Sequence, residues 1–422
     1  MEEKNNIPKI RFKNFDENWE VKEFKEIFSN LPNNTLSRAE LNYQTGLFKN
    51  VHYGDVLIKF GELLDVKNDR IPFISNDTLG NKFKLSKLQN GDIIIADTAE
   101  DETVGKCTEL INAENENVVS GLHTIPVRPI QHFASKYLGY YLNSSSYHDQ
   151  LLQLMQGIKV LSISKSALKS TVLVYPQEKF EQSKIGTYFQ NLDKLITLQQ
   201  QKHDKLVTLK KAMLDKMFPK EGADIPEIRF KDFDENWERT KLNNISDIIG
   251  GGTPSTTFSE YWNGDIDWYS PTEIGDKIYA TGSVKKITSL GLENSSAKIL
   301  PKNKTILFTS RAGIGDMALL SKDGATNQGF QSFVLKNGID PYFIYTAGHL
   351  IKKYALKHAS GSTFLEISGK QLGEMDLLIP SECEQSQIGS YFQNLDKLIS
   401  LHQQEIQKLK NIKKACLEKM FV

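Results

Sequence analysis

The sequence predicts a mixed α/β protein with an internal pseudo-two-fold repeat: two similar α/β domains separated by a pair of long antiparallel coiled-coil helices. Three observations predict this fold class. The opening segment 7–20 returns with few changes as 225–238, and the segment 181–218 returns as 384–421. The segments between these repeats differ in both sequence and length. Repeated flanking segments around two different interiors indicate a protein with two related but distinct binding sites.

The length and the repeat together predict the domain boundaries. A chain of 422 residues exceeds what one hydrophobic core usually holds. We predict a first domain over 1–178 and a first long helix over 179–219. A linker and a second domain follow over 220–383, and a second long helix over 384–422.

The two long helices follow from apolar residues spaced by three and four. The segment 181–217 has no proline and one glycine, and its apolar positions form a coiled-coil seam. At 1.5 Å per residue each helix would be on the order of 50 Å long. The residues predicted to pack the helix pair are Ile185, Phe189, Leu192, Ile196, Leu206 and Met213 in the first copy, and Ile388, Phe392, Leu395, Ile399, Ile406 and Leu409 in the second.

The domain interiors are short β-branched runs interrupted by Gly, Asn and Ser, which is typical of a mixed α/β fold. Similar patterns allow the two domains to be aligned by segment. The predicted pairs are 71–80 with 266–275, 93–101 with 305–313, 120–123 with 328–331, and 157–164 with 361–368.

The strands of these pairs agree in type, whereas the turns between them differ in hydrogen-bond donors and acceptors. This is typical of variable binding loops on a constant scaffold. Base edges in a DNA major groove are distinguished by such side chains, although each of these residues could instead cap a helix or a turn. The candidate DNA-binding residues are Ser75, Asn76, Asp77, Thr98, His123 and Lys159 in the first domain, and Ser270, Thr272, Ser310, Arg311, Asn327, Gln328, Gln331, Ser362, Thr363 and Lys370 in the second.

The bulk composition limits the class of protein. The chain has 52 Lys and Arg against 52 Asp and Glu, so its formal charge is zero. Neutrality argues against holding nucleic acid by bulk attraction alone, but not against reading bases while a partner contacts the phosphates. No apolar run approaches the roughly 20 residues of a membrane span, and the N-terminus has no signal-peptide core. We therefore expect a cytoplasmic protein with no membrane contact.

The chain has no sequence motif of a catalytic or metal site. Its three cysteines, Cys107, Cys383 and Cys416, are scattered, which supports neither a disulfide frame nor a cysteine zinc site. The glycine run 250–252 is not followed by Gly-Lys-Ser/Thr, so it is not a nucleotide-binding loop. His-Glu-x-x-His, Gly-x-Ser-x-Gly and adjacent prolines are absent. We expect no catalytic residue and no metal ligand.

The layout resembles the specificity subunit of type I restriction-modification systems over essentially the whole chain. The helix segments 182–186 and 191–196, repeated at 385–389 and 394–399, are the most specific part of the resemblance. In the second domain Gly252-Thr253-Pro254-Ser255, Tyr261-Trp262 and Asn327-Gln328-Gly329-Phe330 also look like target-recognition domains of that family. The first domain departs from this pattern, because 29–34 stands where the Gly-Thr-Pro stretch would be.

The resemblance implies a non-catalytic subunit that binds double-stranded DNA with a bipartite target. Each target-recognition domain would read one half, while the helices set the gap and dock two methyltransferase subunits. Restriction and translocase subunits would complete the complex. S-adenosylmethionine, ATP and Mg²⁺ would bind to these partners, and no cofactor to this chain. An alternative is a non-enzymatic coiled-coil scaffold for protein assembly with peptide-binding α/β modules. An autonomous methyltransferase or nuclease is a third, less supported hypothesis.

Overall fold

A computed structural model describes residues 6–275, 277–311, 313–361 and 365–422. The chain forms two compact units. The first contains residues up to 200 together with 404–422, and the second contains 201–403. Both units combine helices with several small sheets, which confirms the predicted mixed α/β class and the internal repeat.

The first unit is built around a five-stranded sheet of order β2-β11-β7-β9-β5 and a four-stranded sheet of order β10-β4-β6-β3. Two-stranded pairs β1-β13 and β12-β8 complete it. Its elements are β1 (Glu20–Glu23), α1 (Phe24–Ile27), β2 (Phe28–Asn30), β3 (Leu41–Asn42), β4 (Lys49–Val51), α2 (Tyr53–Ile58), β5 (Leu63–Asp65), β6 (Phe73–Ile74), α3 (Asp77–Gly80), β7 (Ile93–Ala96), β8 (Thr98–Ala99), β9 (Cys107–Ile111), β10 (Val118–Ser120), β11 (Thr124–Pro129), α4 (Tyr137–Leu142), α5 (Ser145–Leu152), β12 (Leu161–Ser162), α6 (Lys165–Leu168), β13 (Val172–Tyr175) and the start of α7 (Lys179–Lys216).

The second unit repeats this plan with a five-stranded sheet β15-β22-β19-β20-β17, a three-stranded sheet β18-β16-β21 and the pair β14-β23. Its elements are β14 (Glu238–Lys241), α8 (Leu242–Ile245), β15 (Ser246–Gly250), β16 (Trp262–Tyr269), β17 (Tyr279–Ala280), β18 (Lys285–Ile287), α9 (Ser289–Glu293), β19 (Thr305–Phe308), β20 (Met317–Leu320), β21 (Gly324–Thr326), β22 (Gln331–Leu335), α10 (Pro341–Thr346), α11 (Gly348–His358), α12 (Gly369–Gly373), β23 (Asp376–Ile379) and the start of α13 (Glu382–Lys419).

The central strands are apolar runs that are buried along their whole length. All four residues of β7 and all four of β19 are buried. A strand covered on both faces needs no polar alternation, which is why these runs read as continuous β-branched and aromatic segments.

The long helices have slightly different ends from those predicted. α7 begins at Lys179, as expected, and ends at Lys216, three residues before the predicted end at 219. Phe218 precedes Pro219, and a residue before proline disfavours the helical conformation. α13 runs from Glu382 to Lys419, starting two residues before and ending three residues before its predicted bounds.

In the first unit the N-terminal half of α7 packs antiparallel to the C-terminal end of α13. The hydroxyl of Tyr188 lies 3.4 Å from Cys416 Sγ, and Asp193 Oδ1 lies 2.7 Å from Lys413 Nζ. Along these contacts the residue numbers increase in α7 and decrease in α13, so the two helices run in opposite directions. Four of the predicted packing residues belong to one buried cluster: Ile185, Phe189, Leu192 and Leu409. Ile196 is partly buried against this cluster.

In the second unit the remaining halves of both helices pack in the same way. Lys210 Nζ lies 2.5 Å from Asp396, which also accepts a hydrogen bond of 2.8 Å from the Tyr342 hydroxyl. The second unit's cluster contains Ile388, Phe392 and Leu395, with Leu206 and Met213 partly buried against it. Ile406 is buried and Ile399 is half-buried, and their role in helix packing stays a prediction.

The repeated opening segments join the two helices inside each unit. Arg11 donates two hydrogen bonds of 2.7 and 2.9 Å to the buried carboxylate of Glu181, and the Ile10 amide donates to the Lys419 carbonyl at 2.9 Å. In the second unit Arg229 donates to Glu384 in the same bidentate manner, and the Ile228 amide donates to the Lys216 carbonyl. A charge-assisted bidentate pair has a defined geometry, so each opening segment holds two helix ends in register.

Candidate nucleic-acid interface

In the first unit, three loops far apart in sequence meet at β8 and β12. Ser162 of β12 pairs with Thr98 of β8. The Asp97 amide donates to the His123 carbonyl at 3.1 Å, and the Ile163 amide donates to the Asp97 carbonyl at 2.9 Å. This arrangement brings together three of the predicted residues: Thr98, His123 and, at the exposed tip of the hairpin between 156 and 162, Lys159.

The second unit has the same hydrogen-bond framework with different side chains. Arg311 forms a β-bridge with Glu366, as Thr98 does with Ser162. The Ser310 amide donates to the Gly329 carbonyl at 2.8 Å, and the Ile367 amide donates to the Ser310 carbonyl at 3.1 Å. These bonds make Arg311 the counterpart of Thr98.

The framework corrects three of the four predicted segment pairs. In the first unit the Ser120 carbonyl accepts a hydrogen bond from the Asn34 amide, and in the second unit the Thr326 carbonyl accepts one from the Gly252 amide. Ser120 therefore corresponds to Thr326. The segment 120–123 thus aligns with 326–329 rather than with 328–331. Shifting the alignment by two residues leaves every strand side chain on the same face of the sheet. The alternation of residue types along the strand therefore could not reveal the error. The pair 93–101 with 305–313 is wrong by one residue, because Ala96 pairs with Thr124 whereas Thr309 pairs with Phe330.

The pair 71–80 with 266–275 is wrong altogether. The strand β16 runs parallel to β21 just as β4 runs parallel to β10. The Tyr269 carbonyl accepts from the Asn327 amide as the Val51 carbonyl accepts from the Gly121 amide. The counterpart of Ser270 is therefore His52 and not Ser75. A short apolar strand before a polar turn is a common pattern, and only long-range pairing distinguishes its copies.

The pair 157–164 with 361–368 is confirmed for 161–164 with 365–368, whereas 362–364 lie outside the described residues. Gln156 bridges Ser162 as Ser360 bridges Glu366. Each segment ends in a serine that caps the next helix: Ser164 accepts from the Ala167 amide at 3.1 Å, and Ser368 accepts from the Gln371 amide at 3.2 Å. Serine is among the preferred helix N-cap residues, because its oxygen satisfies an otherwise unpaired amide.

The predicted residues Ser75, Asn76 and Asp77 lie elsewhere, at the start of α3 beside the four-stranded sheet. All three are exposed. Asn76 caps α3 by accepting from the Leu79 amide at 3.2 Å, and Asp77 accepts from the Leu47 amide at 2.9 Å. These side chains order their own turn, and they are not part of the β8–β12 loop cluster.

Sequence reasoning missed five residues in the loop region of His123. Its ring lies edge-on to Tyr53 at 5.3 Å, and its Nδ1 lies 3.2 Å from Asp97. His52 accepts from the Gly54 amide, and burial lowers the pKa of its imidazole to about 4, so the ring is neutral. Asn34 donates to Asn50 in the interior. The alignment with Ser270 could have indicated His52, but only in the correct register.

Some predicted residues of the second unit have side chains that are hydrogen-bonded within the protein or buried, and others have exposed side chains. Ser270 forms a capping box with Glu273, and Asn327 accepts from the Gly329 amide at 2.8 Å. Ser310 is fully buried. Thr272, Gln328 and Lys370 are exposed, and Gln331 is half-buried beside Gly250 and Gly369. Gln328 accepts from the Thr253 hydroxyl. Ser362 and Thr363 lie outside the described residues.

The glycine run 250–252 serves close packing of the loop. A Cβ at Gly251 would lie 2.0 Å from the Asn327 carbonyl oxygen, and one at Gly252 would lie 2.3 Å from the Ala297 amide. The Trp268 indole donates to the Gly252 carbonyl at 2.8 Å. A side chain at either position would displace the loop from the strand end.

Among the described residues, no group of three or more His, Cys, Asp and Glu side chains could hold a metal ion. None of the helices in that part of the chain is long and apolar enough to cross a membrane.

The chain matches the family model of the type I restriction modification DNA specificity domain twice, over residues 16–208 and 234–411. The type I restriction enzyme MjaIX specificity subunit of Methanocaldococcus jannaschii is 33% identical over 208 residues, 46% of this chain and 47% of that protein. The match thus spans about half of that relative. The putative type I restriction enzyme MjaX specificity subunit of the same organism is 22% identical over 97% of this chain and 94% of its own length.

A crystal structure of the type I restriction-modification system S subunit from M. genitalium shares the fold. It superposes with a TM-score of 0.54 at 16% identity, covering 99% of this chain and 99% of that one. Because the two family matches together include most of the residues of both units, the chain belongs to the family of type I restriction modification DNA specificity domains.

Proposed function

We propose that this chain is the specificity subunit of a type I restriction-modification complex and binds double-stranded DNA with a bipartite target. Each domain reads one half of the target. The observation that carries this proposal is the pair of loop clusters with one backbone hydrogen-bond framework and different side chains.

The differences between the clusters are differences in hydrogen-bonding capacity. Thr98 stands where the second unit has Arg311. His123 corresponds to Gly329. Since base pairs are distinguished in the major groove by their donors and acceptors, these substitutions suit two unlike half-sites.

The remaining chemistry belongs to partner subunits. The chain itself is non-catalytic and binds no cofactor. Two methyltransferase subunits dock on the long helices and bind S-adenosylmethionine, and restriction subunits use ATP and Mg²⁺ for translocation and cleavage. A formal charge of zero supports this division, because tight DNA binding requires phosphate contacts that the partners would add.

The long helices set the gap between the half-sites. Each is 38 residues long, which is about 57 Å at 1.5 Å per residue. Each unit contains a part of both helices: 179–200 and 404–419 lie in the first unit, and 201–216 and 382–403 lie in the second. Inserting seven residues at the middle of both helices adds about 10 Å, or about three base pairs. The gap should lengthen while the half-site sequences stay the same. An unchanged gap would refute the spacing role.

The main test is selection of bound DNA by the complete complex from randomised duplexes, together with mapping of methylated adenines in cells that carry the system. A split consensus is expected in both experiments. Binding with no sequence preference would favour the protein-assembly scaffold instead.

Exchange of residues 30–175 for another recognition domain tests whether the domains read independently. One half-site should change and the other should be retained. A change in both half-sites would show that the two domains do not act as separate readers.

A further inference from the structure

We propose that Arg311 reads a guanine in the half-site bound by the second unit. This inference rests on the proposed function and specifies one of its contacts.

Arg311 differs from the other arginines in that no ion pair or ring contact with another of the described residues engages its guanidinium. The chain contains seven arginines. Five of them form ion pairs with carboxylates: Arg11, Arg38, Arg128, Arg229 and Arg239. The guanidinium of Arg70 lies 4.8 Å over the ring of Tyr43. Within the described ranges, the Arg311 guanidinium has neither a carboxylate nor an aromatic ring as partner.

The backbone of Arg311 is nevertheless held firmly. Its β-bridge with Glu366 fixes it on one side, and the Ser310 amide bonded to Gly329 fixes the preceding residue. Ser310 is fully buried, whereas Arg311 is only half-buried. Successive side chains of an extended segment point to opposite faces, so Arg311 is directed away from the core. Because the backbone is already fixed, binding of a ligand by Arg311 costs only the ordering of its side chain.

The neighbouring polar groups of the second cluster are already engaged within the protein. Asn327 binds the Gly329 amide, Ser270 binds Glu273, and Gln328 binds Thr253. Arg311 is the cation beside these groups, and within the part of the chain that the structure describes its guanidinium donors are not bonded to another side chain. Its planar guanidinium can donate two parallel hydrogen bonds to O6 and N7 of guanine, which is the commonest base-specific contact in the major groove.

A phosphate oxygen is the other ligand that an arginine could bind, and the comparison of the two units favours the base. Phosphates are the same at every position of a duplex, so a phosphate contact shared by both units favours a cation at the same position in each, whereas a base contact does not. The counterpart of Arg311 is Thr98, which has no charge. Loss of the cation at an equivalent backbone position is expected where the base differs between the half-sites.

The test compares the wild-type complex, including its methyltransferase subunits, with Arg311→Gln and Arg311→Lys in selection from a duplex library. Lysine keeps the charge but loses the bidentate geometry, so it decides the question even if the glutamine variant folds poorly. Arg239→Gln is the matched control, because Arg239 lies in the same unit, 3.7 Å from Asp224. Both Arg311 variants should lower the preference for guanine at one position of one half-site by about 5- to 150-fold. The control should leave the consensus unchanged.

Three outcomes would overturn the inference. A uniform loss of affinity for all duplexes with a smaller salt dependence would identify a phosphate contact. Altered preference in both half-sites would exclude a local base contact. A consensus unchanged in both Arg311 variants would refute the guanine contact while the proposed function stands. If the wild-type complex selected no split consensus, the proposed function itself would fail.

Discussion

Phe421 follows the second domain in sequence but belongs to the core of the first unit, and replacing it by alanine tests this assembly. Its side chain is 3% exposed. Its ring is stacked on Phe189 with centroids 5.7 Å apart and lies 5.4 Å from Tyr141, 6.0 Å from Tyr137 and 6.5 Å from Trp19. All four neighbours are in the first unit. Phe421→Ala should therefore destabilise the first domain and not the second.

The expected magnitude follows from the burial and the cavity. Replacing a buried phenylalanine by alanine costs about 3 to 5 kcal/mol, and four aromatic neighbours with little room to collapse place this site within that range. The free energy of opening of the first unit should fall by this amount. Amide protection there should fall by about 100- to 4000-fold, since 1.4 kcal/mol is a factor of ten.

Native-state hydrogen exchange read by mass spectrometry locates the effect. Protection should fall in α4 and in the first half of α7, and it should be retained in β19 and β22 of the second unit. Phe218→Ala is the matched control, because Phe218 is stacked on Phe343 at 5.6 Å and lies against Trp237 at 5.9 Å. It should give the opposite pattern. If the Phe421→Ala variant lost amide protection in the second unit before the first, the assembly of the first unit from both ends of the chain would be refuted.

Three other substitutions test the loops and one buried carboxyl group. Lys159→Ala removes an exposed cation that aligns with the uncharged Thr363 of the second unit, so the base preference at one position of the first half-site should weaken; a uniform loss of affinity for all duplexes would contradict a base contact. Burial raises the pKa of Glu109 from 4.5 to about 7, so the folded state holds this proton more tightly and stability should fall as pH rises between these values. Glu109→Gln should remove about 3 kcal/mol of that pH dependence in chemical unfolding, and an unchanged profile would show that other groups cause it. Gly251→Ala would place a Cβ 2.0 Å from the Asn327 carbonyl oxygen and should weaken selection of one half-site, unlike Gly282→Ala, where nothing lies within 4 Å. Equal effects of the two glycine variants on DNA selection would contradict the loop packing.

Much of the frame could be predicted from the sequence, because helical periodicity and internal repetition are local properties. The apolar spacing of Ile185, Phe189 and Leu192 predicted one buried helix face, and all three are buried. The repeated opening segments indicated a shared structural role, although their ion pairs to Glu181 and Glu384 were not predicted. The candidate site was predicted less well: Thr98, His123 and Lys159 lie together, whereas Ser75 lies beside another sheet and Ser310 is buried.

The sequence by itself determined the repeat, the two long helices and the polar character of the loops, since these depend on residue types at short spacing. The tertiary structure decided that His52 corresponds to Ser270, that Arg311 corresponds to Thr98, and that Phe421 completes the first unit. These relations depend on hydrogen bonds and ring contacts between segments tens to hundreds of residues apart. Many registers of short strands satisfy the same local pattern, and only the packing of the whole unit selects one of them.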